Sequence, residues 1–156
     1  HPAPGAAARP PHPMSDTLII AVDFDGTIVE HEFPEIGPVV PGAFEWLRRW
    51  QAAGARLILW TMRSDGRTPD GSRANGPVLS EAVELCRANG VQFWGVNCNP
   101  DQAAWTKSPK AYAHIYVDDA ALGCPLVAGS RPDSRPAVDW AKVGPAVLAR
   151  LTEVAE

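Results

Sequence analysis

"IIAVDFDGTIVE", residues 19–30, decides the fold. A β-branched hydrocarbon run stops abruptly on Asp23 and Asp25, followed at once by Gly26 and Thr27. A continuous apolar run of this kind belongs to a strand buried on both faces, as in a parallel sheet. Two acids at the end of a buried strand are costly unless a cation or a hydrogen-bond network holds them.

Working outward, apolar strands and amphipathic helices alternate. Strands are expected at 17–24, 55–61, 91–96 and 113–119, with a short fifth at 124–127. Helices are expected at 42–54, with Phe44, Leu47 and Trp50 on one face, and at 78–90, with Leu79, Val83 and Cys86 on one face. A last helix is expected at 142–155, with Pro145 near its first turn. Alternation of this type predicts a parallel sheet covered on both faces. Ligands of such sheets sit beyond the carboxyl ends of the strands. Asp23 and Asp25, Thr61, and Asp118 with Asp119 all fall at those ends.

The 156 residues suit a single domain, with 46% hydrophobic and 21% charged residues and a net charge of −4. That balance gives no sign of a nucleic-acid or membrane surface. No apolar run reaches the roughly 18 residues of a membrane span. The 3 cysteines form no spaced pair, which fits a reducing cytoplasm. Residues 1–16 are proline-rich at their start and read as a disordered tail or cloning remnant, with Met14 as a natural start. His1 and His12 lie there, where a flexible chain fixes no metal geometry. Residues 17–156 then form the one catalytic domain.

Crowded carboxylates repel, and a divalent cation removes the difficulty. Mg2+ prefers hard oxygen ligands, and Asp23 and Asp118 would supply two. With a phosphate in the same pocket, Asp23 can attack phosphorus. Asp25 can protonate the leaving alkoxide and then deprotonate water. Thr61 can hold a phosphoryl oxygen, and a lysine should stabilise the phosphoryl charge. Lys110 is the better placed for this, in a segment leading straight into the fourth strand, while Lys107 needs a longer reach.

"DFDGT" at 23–27, "LILWT" at 57–61, the lysine of "SPKAYAHIYVDD" and its Asp118-Asp119 occur in an order that resembles the haloacid dehalogenase superfamily of phosphohydrolases. The resemblance spans roughly residues 17–120. It implies a Rossmann-like three-layer α/β/α sandwich with strand order 3-2-1-4-5. It also implies Asp23 as nucleophile and Asp25 as acid/base that lends the metal its backbone carbonyl. Gly26 and Arg63 are expected at the substrate, with pairing to an acid as the alternative for Arg63, and Asp119 is expected to orient the metal's waters. The second acid favours phosphate esters over carbon–halogen bonds. The activity expected is a Mg2+-dependent phosphatase acting through an aspartyl-phosphate.

Other readings weigh less. A response-regulator phosphoacceptor has its phosphorylated Asp after strand three, where this chain reads "VNCNP". Phosphoryl transfer to an acceptor other than water fits the same residues. Glu30 and His31 either face a leaving group or solvent; Trp46 and Trp50 read as core; Trp94 and Trp105 as pocket or packing; His114 as structural. Cys98 has no neighbour that would activate it. The gap from Asp25 to Pro41, the loop 63–77 and the segment 97–112 are too short for a cap domain. The substrate is therefore expected to be a phosphate ester met in an open site, or one covered by its own bulk or by a second copy in a homo-oligomer.

Overall fold

The computed structural model describes the backbone of residues 17–154, so the expectations for residues 1–16 lie outside the described residues. The elements, in chain order, are β1 (Ile19–Val22), α1 (Ala43–Ala52), β2 (Arg56–Leu59), α2 (Val78–Ala88), β3 (Gly95–Val96), β4 (Ile115–Val117), β5 (Leu126–Val127), β6 (Ala137–Val138) and α3 (Trp140–Val154). The four strands of the main sheet are parallel, in the order β3-β2-β1-β4. The α/β class and the neighbours of β1 are as expected. The fifth strand is not part of this sheet: β5 pairs antiparallel with β6 in a separate ribbon. "CPLV" is thus half of a short ribbon, and β4 is the edge of the main sheet.

Side-chain alternation assigns the two faces. Ile20, Val22, Leu57, Leu59 and Val117 pack into one core with residues of all three helices. Ala21 and Ile58 face the other way, into a smaller cluster with Ala111, Ala113, Ile19, Trp60 and Trp94. That second cluster draws on no α-helix. Its cover comes from the segment between β3 and β4, whose regular structure is one turn of 3-10 helix at Gln102–Ala104. Gln102 holds this segment together: its amide donates to the carbonyls of Ser108 and Lys110, and its oxygen accepts from the Tyr112 N–H.

Helix α1 buries Ala43, Phe44, Leu47 and Trp50, the face its apolar spacing indicated. Helix α2 is turned by one residue from expectation. Val78, Ala82 and Cys86 are buried, while Leu79 and Val83 flank the core. Helix α3 starts earlier than expected, at Trp140, so Pro145 sits inside it rather than near its first turn. Asp139 explains the earlier start, since its carboxylate accepts the Ala141 N–H at 3.1 Å as an N-cap. Trp140 is thereby buried against Trp50, with ring centroids 5.3 Å apart. Such a pair contributes roughly 0.5–1.5 kcal/mol beyond its area burial. Helices α1 and α3 approach closely because Gly144 carries no side chain: a Cβ there would strike the Trp46 ring. The Trp50 indole N–H donates to the Gly144 carbonyl at 3.0 Å.

Two excursions rise at the carboxyl end of the sheet. Residues 29–39 form a short hairpin, with the Glu30 N–H donating to Pro38 O and Val40 N–H to Ile28 O. The loop 63–77 folds back on itself, with Thr68 N–H donating to Arg73 O. Asp65 caps α2 by accepting the Leu79 and Ser80 N–H groups. No helix among the described residues is long and apolar enough to cross a membrane.

Candidate active site

The register of the sheet builds the site. Val22, Leu59, Val96 and Val117 end their strands in one row. The ladder continues one residue further: Asp23 N–H donates to Val117 O, Trp60 N–H to Val22 O and Asn97 N–H to Leu59 O. Asp118, Asp23, Trp60 and Asn97 therefore form the next row, with Asp119 and Thr61 just beyond.

A tight turn follows Asp23. Gly26 takes φ 81°, a left-handed conformation that favours glycine. A Cβ there would also run into the His31 ring and the Asp119 carboxylate. The turn brings the Thr27 hydroxyl under the acids. It donates to Asp23 Oδ2 at 3.1 Å and accepts the Asp119 N–H at 3.3 Å. Thr27 is fully buried, and its carbonyl accepts the Trp140 indole N–H at 2.7 Å.

Carboxylate oxygens of Asp23, Asp118 and Asp119 lie within 4.8 Å of one another. Burial, then the charge of Asp118, then the closeness of Asp119 push the Asp23 carboxyl from 3.8 up to about 8. A cation among these oxygens would turn the repulsion into attraction. The donors are hard oxygens, so the cluster can hold a metal ion. Asp119 belongs to this cluster directly, and its Oδ2 lies 2.8 Å from His31 Nε2.

Asp25 is held apart from the cluster by Arg63. The guanidinium Nε–H and an Nη2–H donate to its two oxygens, each at 2.8 Å. The remaining N–H groups donate to the carbonyls of Glu35, Pro34 and Val78. Phe24 and Phe33 flank the guanidinium, with ring centroids 5.0 and 5.2 Å from its carbon. Arg63 is 1% exposed. All five of its N–H donors are engaged, so of the two expectations for Arg63 the structure shows the pairing with an acid and not the substrate contact. It joins the DxD turn, the 29–39 hairpin and the start of α2.

Thr61 is where the sequence placed it. Its N–H donates to Asn97 Oδ1 at 2.8 Å, and its hydroxyl accepts the Arg63 N–H at 3.1 Å. The hydroxyl proton is left for an acceptor in the cavity. Asn97 sits at φ 53°, a conformation asparagine tolerates better than most residues. A cavity of about 430 Å3 opens here, with Asp23, Asp25, His31, Thr61, Asp118 and Arg135 in its wall and Phe33 and Met62 at its side.

Lys110 is not in that wall. It is exposed, with its ammonium 5.5 Å from the centroid of the Tyr116 ring. Lys107 is exposed as well. Glu30 is not in that wall either; its buried carboxylate accepts the Ser130 hydroxyl at 2.5 Å and the Ser130 N–H. Those bonds hold it below the usual carboxylate range. His114 is structural, as expected, accepting the Ile19 N–H at 2.8 Å. Trp94 packs under the sheet, and Trp105 stands edge-on to Tyr112. Cys98 is an exposed free thiol. Three positions stand at the site where sequence reasoning placed nothing: Thr27 and Asn97, through their hydrogen bonds, and Arg135, in the cavity wall. Thr27 stood inside the quoted motif, and Asn97 directly follows an apolar strand. Arg135 had no signal at all.

No family model and no curated protein matches the chain. A solved structure does: a conserved protein of Bacteroides thetaiotaomicron, 35% identical, with 86% of this chain and 92% of that chain covered and a TM-score of 0.64. Identity at that level over nearly the whole of both chains exceeds what a shared fold alone requires, and the chain belongs to the family of that conserved Bacteroides protein.

Proposed function

We propose that the protein is a Mg2+-dependent phosphatase of the haloacid dehalogenase type, with a Rossmann-like sheet, that hydrolyses phosphate monoesters through an aspartyl-phosphate on Asp23. One observation carries this reading. Asp118, Asp23 and Thr61 converge from β4, β1 and β2, three neighbouring strands, around one cavity.

In the first half-reaction an Asp23 oxygen attacks phosphorus, and the bond to the ester oxygen breaks. The departing alkoxide takes a proton from Asp25. In the second, water attacks the same phosphorus, gives its proton to Asp25, and the Asp23–phosphorus linkage breaks. Free alcohol and phosphate result, and both acids return to their starting states. Arg63 fixes the plane of the Asp25 carboxyl. Each Asp25 oxygen keeps a second lone pair beside the one the fork uses, and the proton can be carried there. Thr61 offers its hydroxyl to a phosphoryl oxygen. Asp23, Asp118, Asp119 and the Asp25 carbonyl would hold the Mg2+, which supplies charge neutralisation for phosphoryl oxygens. The free thiols of Cys86, Cys98 and Cys124 support a cytoplasmic setting.

Hydrolysis of a panel of phosphate monoesters with Mg2+, and again with EDTA, tests the reading. The expected result is phosphate release that EDTA abolishes and added Mg2+ restores. Absence of phosphate release from every ester in the presence of Mg2+ would overturn it.

A further inference from the structure

An anionic ester entering this cavity meets Asp23, Asp118 and Asp119, with Asp25 already matched by Arg63. Even with a divalent cation present, a dianionic phosphoryl group needs further positive charge. The cations in the wall are Arg63 and Arg135. Arg63 has no donor to give. Arg135 makes no ion pair or side-chain hydrogen bond among the described residues, unlike Arg49, Arg56, Arg63, Arg87 and Arg131.

The segment that carries Arg135 is fixed. Glu30, at the base of the 29–39 hairpin, binds the backbone and hydroxyl of Ser130. Glu32 pairs with Arg131. Gly129 lets the segment fold tightly, since a Cβ there would meet Ser134, and Glu30 Oε1 at 2.7 Å. Beyond Arg135, the Val138 N–H donates to the Gly26 carbonyl at 3.1 Å, anchoring the segment beside the DxD turn. One end of the strap is thus tied to the hairpin that follows the turn carrying Asp23 and Asp25, and the other to that turn itself.

We propose that Arg135 is the residue that receives the substrate's phosphoryl group, the part expected of Lys110, and that Glu30 is its positioning residue. The proposal rests on the phosphate-ester reading. A guanidinium presents parallel N–H donors that match two phosphoryl oxygens, a geometry a lysine does not provide. The exposed arginine is free to move onto the group as it enters.

Calorimetric binding of inorganic phosphate to the full chain in the presence of Mg2+ tests this without turnover. Arg135→Ala should weaken binding about 10- to 100-fold, the worth of a lost charge-assisted contact. Arg135→Lys should lose less, since it retains the charge, and Glu30→Gln should fall between because the strap loosens. Lys142→Ala, at the groove between β4 and α3, should bind as the unmutated protein does. Equal phosphate affinity in Arg135→Ala and the unmutated protein overturns the role of Arg135 alone, as does a loss that falls on Lys110→Ala instead. No phosphate binding by the unmutated protein overturns the phosphate-ester reading and this proposal together.

Discussion

The helix-covered face of the sheet and its carboxyl end are built on opposite terms. On the helix face, Trp50, Leu47, Ile20 and Leu59 are fully buried apolar groups whose contacts favour the fold. At the carboxyl end, one strand position beyond Val22, Asp23 is crowded by burial and two other acids. The same strand thus supplies stability along its length and gives some back at its tip. A bound cation would relieve crowding of this kind, in keeping with the site proposed at the tip.

Substitutions at the two ends should separate activity from stability. The largest effect belongs to Asp23→Asn. Turnover of any ester substrate should fall by on the order of 10³-fold or more, since attack and metal binding are lost together. Yet the metal-free variant should be the more stable protein at alkaline pH. Asp23 has its carboxyl raised from 3.8 to about 8 in the folded state. Its contribution to stability is then complete below the lower value and lost as pH rises through the upper. Thermal melts of the two metal-free proteins should diverge between those values, with the variant ahead by on the order of 1–3 kcal/mol at the alkaline end. Coincident melting curves across that range would contradict the crowding.

Asp25→Asn should follow, with a loss of roughly 10²–10⁴-fold, greatest for esters with poor leaving groups. Equal losses for good and poor leaving groups would remove Asp25 from the proton transfers. Arg63→Lys keeps a positive charge but not the two-pronged grip. It should lower kcat more than it raises KM, by about 10-fold or more, because Asp25 loses its orientation. A change confined to KM would instead place Arg63 at the substrate. The smallest effect lies on the helix face. Gly144→Ala pushes a methyl into the Trp46 ring and should cost about 1–3 kcal/mol in melting experiments, with kcat unchanged. Unaltered stability would mean that α1 and α3 separate more easily than their packing indicates.

Much of this contrast was legible in the residues. β1, β2 and α1 carry dense periodic signals, and the acids stand where those signals stop. The face of α2 was misjudged because Val78, Leu79, Ala82, Val83 and Cys86 offer two overlapping apolar stripes, and the one that holds the small Ala82 is the one buried. The start of α3 was missed because Asp139 caps a helix whose first apolar residue is a tryptophan. The fifth strand was misplaced because two residues of strand look alike in a parallel sheet and in an antiparallel ribbon. Arg63 could be narrowed to a substrate contact or an acid's partner, but Pro34, Glu35 and Val78 receive its other donors through backbone oxygens that sequence does not display. Arg135 reaches the site through a strap whose anchors, Glu30 and Gly129, are distant in sequence.

The central claim is that Asp23 is the nucleophile. Brief incubation of the full chain with Mg2+ and an ester substrate, followed by acid quenching and peptide mass analysis, tests it most directly. The account predicts one added phosphoryl group on the peptide that carries Asp23, absent from Asp23→Asn and removed by hydroxylamine. Rapid hydrolysis of the same ester by a folded Asp23→Asn variant, or a phosphoryl group found on another residue, would contradict it.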